Sequence, residues 1–446
     1  MIVSEAKARR LKELAREIFL ATLAEVDVHQ SFERKLERRG ARLRFGTESV
    51  ELDAFARLWL VSFGKAAWAT LDSLLGILGE RYRPERGVVV SNVPPPLAPP
   101  PGFLAYHAGH PVPNANSLAA AGAILELARA ADEQTLIFFL ISGGGSALVE
   151  SPLVAAISLE DLQALNRVLV GCGASIDDIN AIRKHLSGVK GGRLAEAATR
   201  AHKITFLLSD VPEGKLATIA SGPTLPDPTT LQTCYAVAER FHLLRQFPPV
   251  VRELFEKRKS RETPKAGAAA FARSQTFLLL SSHDVLHAAH RAAGAHGFHS
   301  ECDMTTDDWE LPRAAEFLLA RMEEMQKEHS GQPVCLISGG EILCPVTGDG
   351  RGGRNQAFVL HCVEKLAGRE CAVLSAGTDG IDGNSPAAGA VADGESLARA
   401  QKLGLDPEDY LRRSDSFAFF DALGDAVITG PQQNNLRDLR LLLTRS

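Results

Sequence analysis

The run Thr135–Ser151, TLIFFLISGGGSALVES, constrains the fold more than any other stretch, because an unbroken apolar segment passes directly into three consecutive glycines. Leu136 to Ile141 shows no polar alternation and ends at the glycines, the pattern of a strand buried on both faces of a parallel sheet. Gly143, Gly144 and Gly145 carry no Cβ, so the backbone N–H groups of the turn can approach an anion closely. Ser142 and Ser146 flank them, and Ser146 can open a helix behind the turn. The stretch predicts a strand–loop–helix that holds a phosphate or a carboxylate. A tight glycine turn without a ligand is the other reading of the same residues.

The remaining chain supplies similar devices. Leu58 to Phe63 reads as a buried strand, and its exit, Gly64-Lys65-Ala66-Ala67, sets a lysine at a helix N-terminus, where anions are favoured. It is no Walker A loop, since the spacing GxxxxGK[ST] is missing. Gly87 to Ser91 is a second strand, 92–102 a proline-rich connector, and Gly109 to Asn114 a rigid segment whose His110 either contacts substrate or caps the turn. Asp177 to Leu194 reads as a helix carrying Arg183 and Lys184 that ends in a glycine-punctuated turn with Lys190 and Arg193. Four cations so spaced can clamp an acidic substrate. Ile204 to Leu208 delivers Asp210 to the carboxyl end of a strand, where ligands collect in open α/β sheets.

At 446 residues the chain calls for two domains. The charged, then small-residue stretch 257–274 reads as the linker, giving domains at 1–262 and 263–446. A second alternation of strands and helices follows, starting with a strand at 276–280. Val334 to Ile337 runs into Ser338-Gly339-Gly340-Glu341, repeating the strand-to-glycine device. TGDGRGGRNQ, 347–356, places Arg351 and Arg354 among glycines as planar forks for phosphate oxygens. Strand 371–375 leads to a turn with Asp379 and Asp382, able to hold a divalent cation or to form metal-free Asx turns. Alternating strands and helices mean an α/β chain with a doubly wound parallel sheet.

Composition narrows the function classes. Apolar residues are 45% and charged residues 23%, with a net charge of −5 and acids and bases interspersed, so no nucleic-acid surface is expected. The seven cysteines form no CxxC pair, which argues for reduced thiols. The N-terminal stretch reads as an amphipathic helix of the folded protein, and no window is apolar enough to span a bilayer, so no membrane partner and a cytoplasmic location are expected. A homodimer is allowed by the sequence and not required by it. Cations at 65, 183, 184, 351 and 354 with acids at 210, 379 and 382 suit phosphoryl transfer, in which positive groups neutralise charge spreading over the transferred group. GxSxG, HExxH and GxGxxG after a strand are all missing.

The ordered stretches GKAAW (64–68), GHPVPN (109–114), LISGGGSAL (140–148), IRKHLSGVKGGRLA (182–195), LLSDV (207–211), IASGPT (219–224), SGGE (338–341), GRGGRNQ (350–356) and AGTDGIDG (376–383) together resemble the glycerate 2-kinase family. The resemblance implies an ATP- and Mg²⁺-dependent kinase that makes 2-phosphoglycerate from D-glycerate. It also implies a Rossmann-like N-terminal domain with a doubly wound parallel sheet, a smaller C-terminal α/β domain with a mixed sheet, and an active site in the cleft between them. Carried over by motif, Lys65 and Arg354 are the catalytic candidates. On this reading the loop Ser142 to Ser146 holds an anionic group, Arg183 or Lys184 pairs with the substrate carboxylate, His110 and Asn355 join the binding residues, and Asp210 or Asp379 holds Mg²⁺. The chain departs from the family pattern at Glu213-Gly214-Lys215, in place of an acidic turn, and at Asn384-Ser385-Pro386, where an aspartate is missing. Ala357 stands where Glu is common, and Asn114 where Asp is frequent. Relatives labelled hydroxypyruvate reductases leave an oxidoreductase as the rival expectation, with a non-catalytic hydroxy-acid-binding protein as a third.

Overall fold

The computed structural model describes residues 5–96, 98–209, 211, 214–432 and 434–445, without the side chains of 5–9. Asp210, one of the two expected metal ligands, lies outside the described residues. The chain divides into a central unit, Val28–Leu279, and a terminal unit made of the residues up to Asp27 together with those from Leu280 onward.

The central unit opens with a small antiparallel sheet, β1 (Leu36–Arg39), β2 (Arg42–Phe45) and β3 (Glu48–Glu51). Its main sheet has six strands: β4 (Arg57–Phe63), β5 (Arg86–Ser91), β6 (Phe103–His107), β7 (Thr135–Ile141), β8 (His202–Leu208) and β9 (Ser274–Leu280). They lie in the order β6-β5-β4-β7-β8-β9, and the pairings from β6 through β8 are all parallel. Every residue of β7 is buried, as its unbroken apolar sequence requires. Alternation assigns its faces. Phe139 packs with Val61, Val88 and Ala120, whereas Phe138 stacks on Phe206, against which Phe45 of the small sheet sets its edge at 5.4 Å. The small sheet thus helps cover one face. At about 1.5–3 kcal/mol for each large apolar side chain buried, these clusters supply most of the driving force for the unit.

The strand order reverses between β4 and β7, and in an open α/β sheet the crevice at such a point, beyond the carboxyl ends of the strands, is where ligands bind. The two loops that leave these strands are Gly64-Lys65 and Ser142 to Ser146.

The terminal unit has its own six-stranded sheet, built from β10 (His299–Asp303), β11 (Val334–Gly339), β12 (Cys371–Gly377), β13 (Gly389–Asp393), β14 (Ala426–Val427) and β15 (Asp438–Thr444). The order is β10-β11-β15-β12-β13-β14, and the sheet is mixed. β10 and β11 are parallel, while β15 runs antiparallel to both β11 and β12. β11 and β12 therefore end on the same side, where β15 begins with Asp438 opposite Gly377. The helix Glu5–Glu25 belongs here, pinned by Lys12 to Asp425 at 2.8 Å.

The units differ from the domains expected at 1–262 and 263–446, for a physical reason. The stretch read as a linker is anchored within the central unit. Thr263 Oγ1 donates to Asp227 at 2.9 Å, the Asp227 N–H bonds to Pro264 O at 3.1 Å, and the strand expected to open the second domain is β9, an edge of the first sheet. Charged and small residues at 257–274 satisfy these polar contacts without leaving an apolar signature in the sequence.

Candidate active site

In the central unit the two loops at the reversal point are zipped together. The Ser142 N–H bonds to Phe63 O at 3.1 Å, the Lys65 N–H to Gly143 O at 2.9 Å, and the Ala66 N–H to Ser142 Oγ at 3.0 Å. This closeness demands glycine at 64, whose φ is +125°. A Cβ there would lie 2.1 Å from Ser142 Oγ. Gly144, at φ +82°, turns the loop so that a Cβ would be 3.1 Å from the His110 ring and 3.2 Å from Lys65 Cγ. Lys65, His110 and the glycine loop are thus neighbours. Burial, and then the Lys65 charge, hold the His110 imidazole below its ordinary value and so neutral near pH 7.

The helix behind the loop is one turn long, Gly145–Leu148, so its aligned peptides add little field. Any anion here is met by the bare loop and by side chains. Ser146 Oγ lies 2.9 Å from Ser221 Oγ, and Ala220 and Ser221 both hold positive φ, +48° and +61°, a strained pair beside the loop.

A cavity of about 270 Å³ opens at this point, lined among others by His110, Gly144, Ser146, Asn166, Arg183 and Lys190. Arg183, on the helix Ile176–Leu186, is half-buried and donates to Asn166 Oδ1. Burial works against its charge, and the nearby Glu150 carboxylate favours it. Glu150 is itself occupied. It pairs with the buried Lys190 and accepts from Ser187 Oγ at 2.8 Å and the Ser151 N–H at 2.9 Å.

Arg183 and Lys184 part company here. Lys184 is 2% exposed and pairs with Asp227 at 3.1 Å, turned away from the cavity. Adjacent helical residues lie about 100° apart around the axis, so only one of the two can face the cavity. Ser142 is likewise spent inside the loop, as the acceptor for Ala66.

The terminal unit places Arg354 at the start of the helix Arg354–Leu366. Its Nε donates to Asp438 Oδ2 at 2.6 Å and its terminal nitrogen stands 2.9 Å from Glu341 Oε1. Burial disfavours the guanidinium charge, but the two carboxylates more than offset this and hold it above its ordinary value. Asp382 occupies the N-terminus of the same helix, taking the N–H groups of Asn355 and Gln356 at 3.1 and 2.9 Å. Asn355, 1% exposed, bonds Asp382 and accepts from Ser375 Oγ at 2.6 Å. Its amide is therefore used within the fold and does not face a phosphate, a correction to the sequence reading. Arg351 lies over the Phe417 ring at 4.8 Å, away from that pairing. Asp379 accepts the Ile381 N–H at 3.2 Å, an Asx turn. Its Oδ1 and that of Asp438 lie 3.2 and 3.5 Å from where a Gly377 Cβ would be.

Sequence reasoning overlooked Glu150, Asn166, Glu341 as the partner of Arg354, and above all Asp438. The only signal for Asp438 is an acid at the start of an apolar run, which many surface strands share.

Family models match this chain twice, as Domain of unknown function DUF4147 over residues 14–256 and as the MOFRL family over residues 334–438. It is 38% identical to the D-glycerate 2-kinase of Thermotoga maritima over 86% of this chain and 89% of that protein. It is 32% identical to the glycerate 2-kinase of Pyrococcus horikoshii over 90% of each. An Agrobacterium vitis protein, 36% identical over 85% of this chain and 83% of that one, carries a provisional hydroxypyruvate reductase name. The crystal structure of the Thermotoga maritima glycerate kinase superposes with a TM-score of 0.84 at 35% identity, covering 98% of this chain and all of that one. The shared motifs, both sheets and this likeness along nearly the whole length place the chain in the glycerate 2-kinase family.

Proposed function

We propose that the protein is a glycerate 2-kinase that moves the γ-phosphoryl group of ATP to the 2-hydroxyl of D-glycerate. The observation that carries this reading is the cavity beside the glycine loop, small enough for a three-carbon acid. One guanidinium, Arg183, lines it, while its carboxylate, Glu150, is already neutralised by Lys190. A bidentate guanidinium–carboxylate pair then orients the acid end of glycerate. Lys65 and the bare N–H groups of Gly143 to Gly145 meet the transferred group. Its P–O bond to ADP breaks as the bond to the substrate oxygen forms, and charge builds on its equatorial oxygens. His110, neutral and beside Lys65, takes the hydroxyl proton.

The acids of the terminal unit suit a hard cation. Mg²⁺ takes one or two carboxylates and keeps phosphate and water as its other ligands, which fits Asp379 with Asp438. When bound, it neutralises charge on the nucleotide phosphates. Arg354, the terminal unit's catalytic candidate, is fixed beside these acids by Asp438 and Glu341.

The test is an ADP-release assay with ATP and Mg²⁺ across D-glycerate, L-glycerate and related hydroxy acids, with the product phosphate position read by phosphorus NMR. ADP release with D-glycerate giving the 2-phosphate supports the reading. Reduction of hydroxypyruvate by NADH without ADP release would replace it with the oxidoreductase reading.

A further inference from the structure

We propose that His299, Glu301 and His329 form a binding site for a divalent transition-metal ion at the edge of the terminal unit's sheet. His299 and Glu301 are alternate residues of the edge strand β10, so both leave the same face. His329 follows the last turn of the helix Leu311–Glu328, its N–H still bonded to Met325 O at 2.9 Å. Strand edge and helix end thus present their side chains to one point. Among the described residues this is the one group of three histidine, cysteine or acidic side chains whose ligand atoms all lie within 4.8 Å of one another.

The distances favour an ion over mutual hydrogen bonding. Glu301 Oε1 lies 3.9 Å from His299 Nε2 and 3.8 Å from His329 Nε2, too far for a hydrogen bond to either. A tetrahedral zinc with bonds of about 2.0–2.1 Å holds its ligand atoms about 3.3 Å apart, so side-chain adjustment of about half an ångström lets one ion reach all three. The imidazoles are stacked, their centroids 3.7 Å and their planes 29° apart, so both rings are already held at the site and one must turn to bring a shared ion into both ring planes. Two imidazoles with one carboxylate suit zinc and its neighbours, whereas Mg²⁺ and Ca²⁺ prefer oxygen throughout. Glu301 also has the outer support that ligating carboxylates need. Its second oxygen, Oε2, accepts from Arg321 at 2.7 Å, which leaves Oε1 to the histidines. Glu324 and Glu328, at 3.4 and 3.5 Å from Arg321, offset the charge this arginine brings.

None of these residues takes part in the proposed phosphoryl transfer, so the site is independent of it. The ion ties an otherwise one-sided edge strand to the end of its neighbouring helix.

Zinc titration of the full, untagged, reduced chain against a chromophoric chelator tests the site. The chain is expected to bind zinc, and the number of equivalents is expected to fall by one in both His329→Ala and His299→Gln. Cys302→Ser, which changes the exposed thiol of the same strand, should keep the full number. Arg321→Met should weaken the affected equivalent by about tenfold or more while retaining it. Circular dichroism of each variant confirms that it is folded. An intact chain that binds no zinc, or a zinc count unchanged in both histidine variants, overturns the proposal.

Discussion

The two units handle charge in opposite ways at equivalent places, the glycine turns that end their strands. In the central unit the cavity's carboxylate, Glu150, is consumed by Lys190, which leaves Arg183 lining the opening and hydrogen-bonded to a neutral amide, Asn166. In the terminal unit the arginine is the residue consumed. Arg354 sits between Asp438 and Glu341, and Asp382 already fills the helix N-terminus that would otherwise attract a phosphate. One turn leaves its arginine lining a cavity, and the other holds its cation in a surplus of acids. A glycine-rich turn with an arginine therefore does not by itself say which sign of ligand it serves; the second carboxylate decides.

The comparison breaks most sharply at Lys65 and Arg354. Lys65→Ala should lower kcat by about 10³-fold, the scale of removing one charged donor from a transition state, with the melting temperature nearly unchanged. Arg354→Ala should cut kcat as well, but it should also destabilise the terminal unit by about 2–3 kcal/mol, because Asp438, 3% exposed at its side chain, loses its closest cation. Arg440, 3.8 Å from Asp438, and the partial exposure of Arg354 keep the loss below the full cost of breaking a buried pair. Kinetics with thermal denaturation on both variants decides the matter. Equal melting temperatures would mean that Arg354 is no more tied to its surroundings than Lys65.

Adjacent residues sharpen the same contrast inside one helix. Lys184→Ala should cost about 3 kcal/mol of stability by stranding the buried Asp227, and should leave KM for glycerate alone. Arg183→Ala should raise that KM by about 10–100-fold with little change in melting temperature. Exchange of these outcomes would move the carboxylate-binding role to Lys184.

Which parts of this were legible in the sequence follows from how local the physics is. Leu136–Ile141 and the glycines after it could be read directly, since burial on both faces and a Cβ-free turn each leave a contiguous signature. Arg183 against Lys184 could not be separated, because the orientation of a helix about its axis is set by distant partners, here Asp227 and the segment at 263–264. Asp438 begins a strand inserted antiparallel between two others, and its place beside Arg354, 84 residues away in sequence, exists only once that strand is paired in register with Gly377 opposite Asp438. The same insertion, with the antiparallel β13 and β14, makes the terminal sheet mixed, which the resemblance supplied and the strand periodicity did not. The domain boundary failed for a similar reason. Long-range polar anchors hold 260–272 and carry no periodicity.

The smallest effect concerns protons at the central site. The His110 residue is exposed as a whole, yet its ring lies over Gly144 beside Lys65, and burial together with that charge lowers its pKa below 6.5. Between the folded value and about 6.5 the unfolded chain holds more protons than the folded one. Stability contributed by the neutral ring is therefore full above about pH 6.5 and is lost as pH falls through that window, a small loss because solvent screens a group this exposed. The acid limb of kcat/KM should lie in the same range, since a protonated ring accepts nothing from the substrate hydroxyl. Replacing Lys65 by Met removes the Coulombic contribution and leaves burial, so the His110 midpoint should rise toward 6.5 without reaching it. NMR titration of the ring protons in both proteins measures this, and a midpoint at or above 6.5 in the parent, or one unmoved by the substitution, would separate His110 from Lys65.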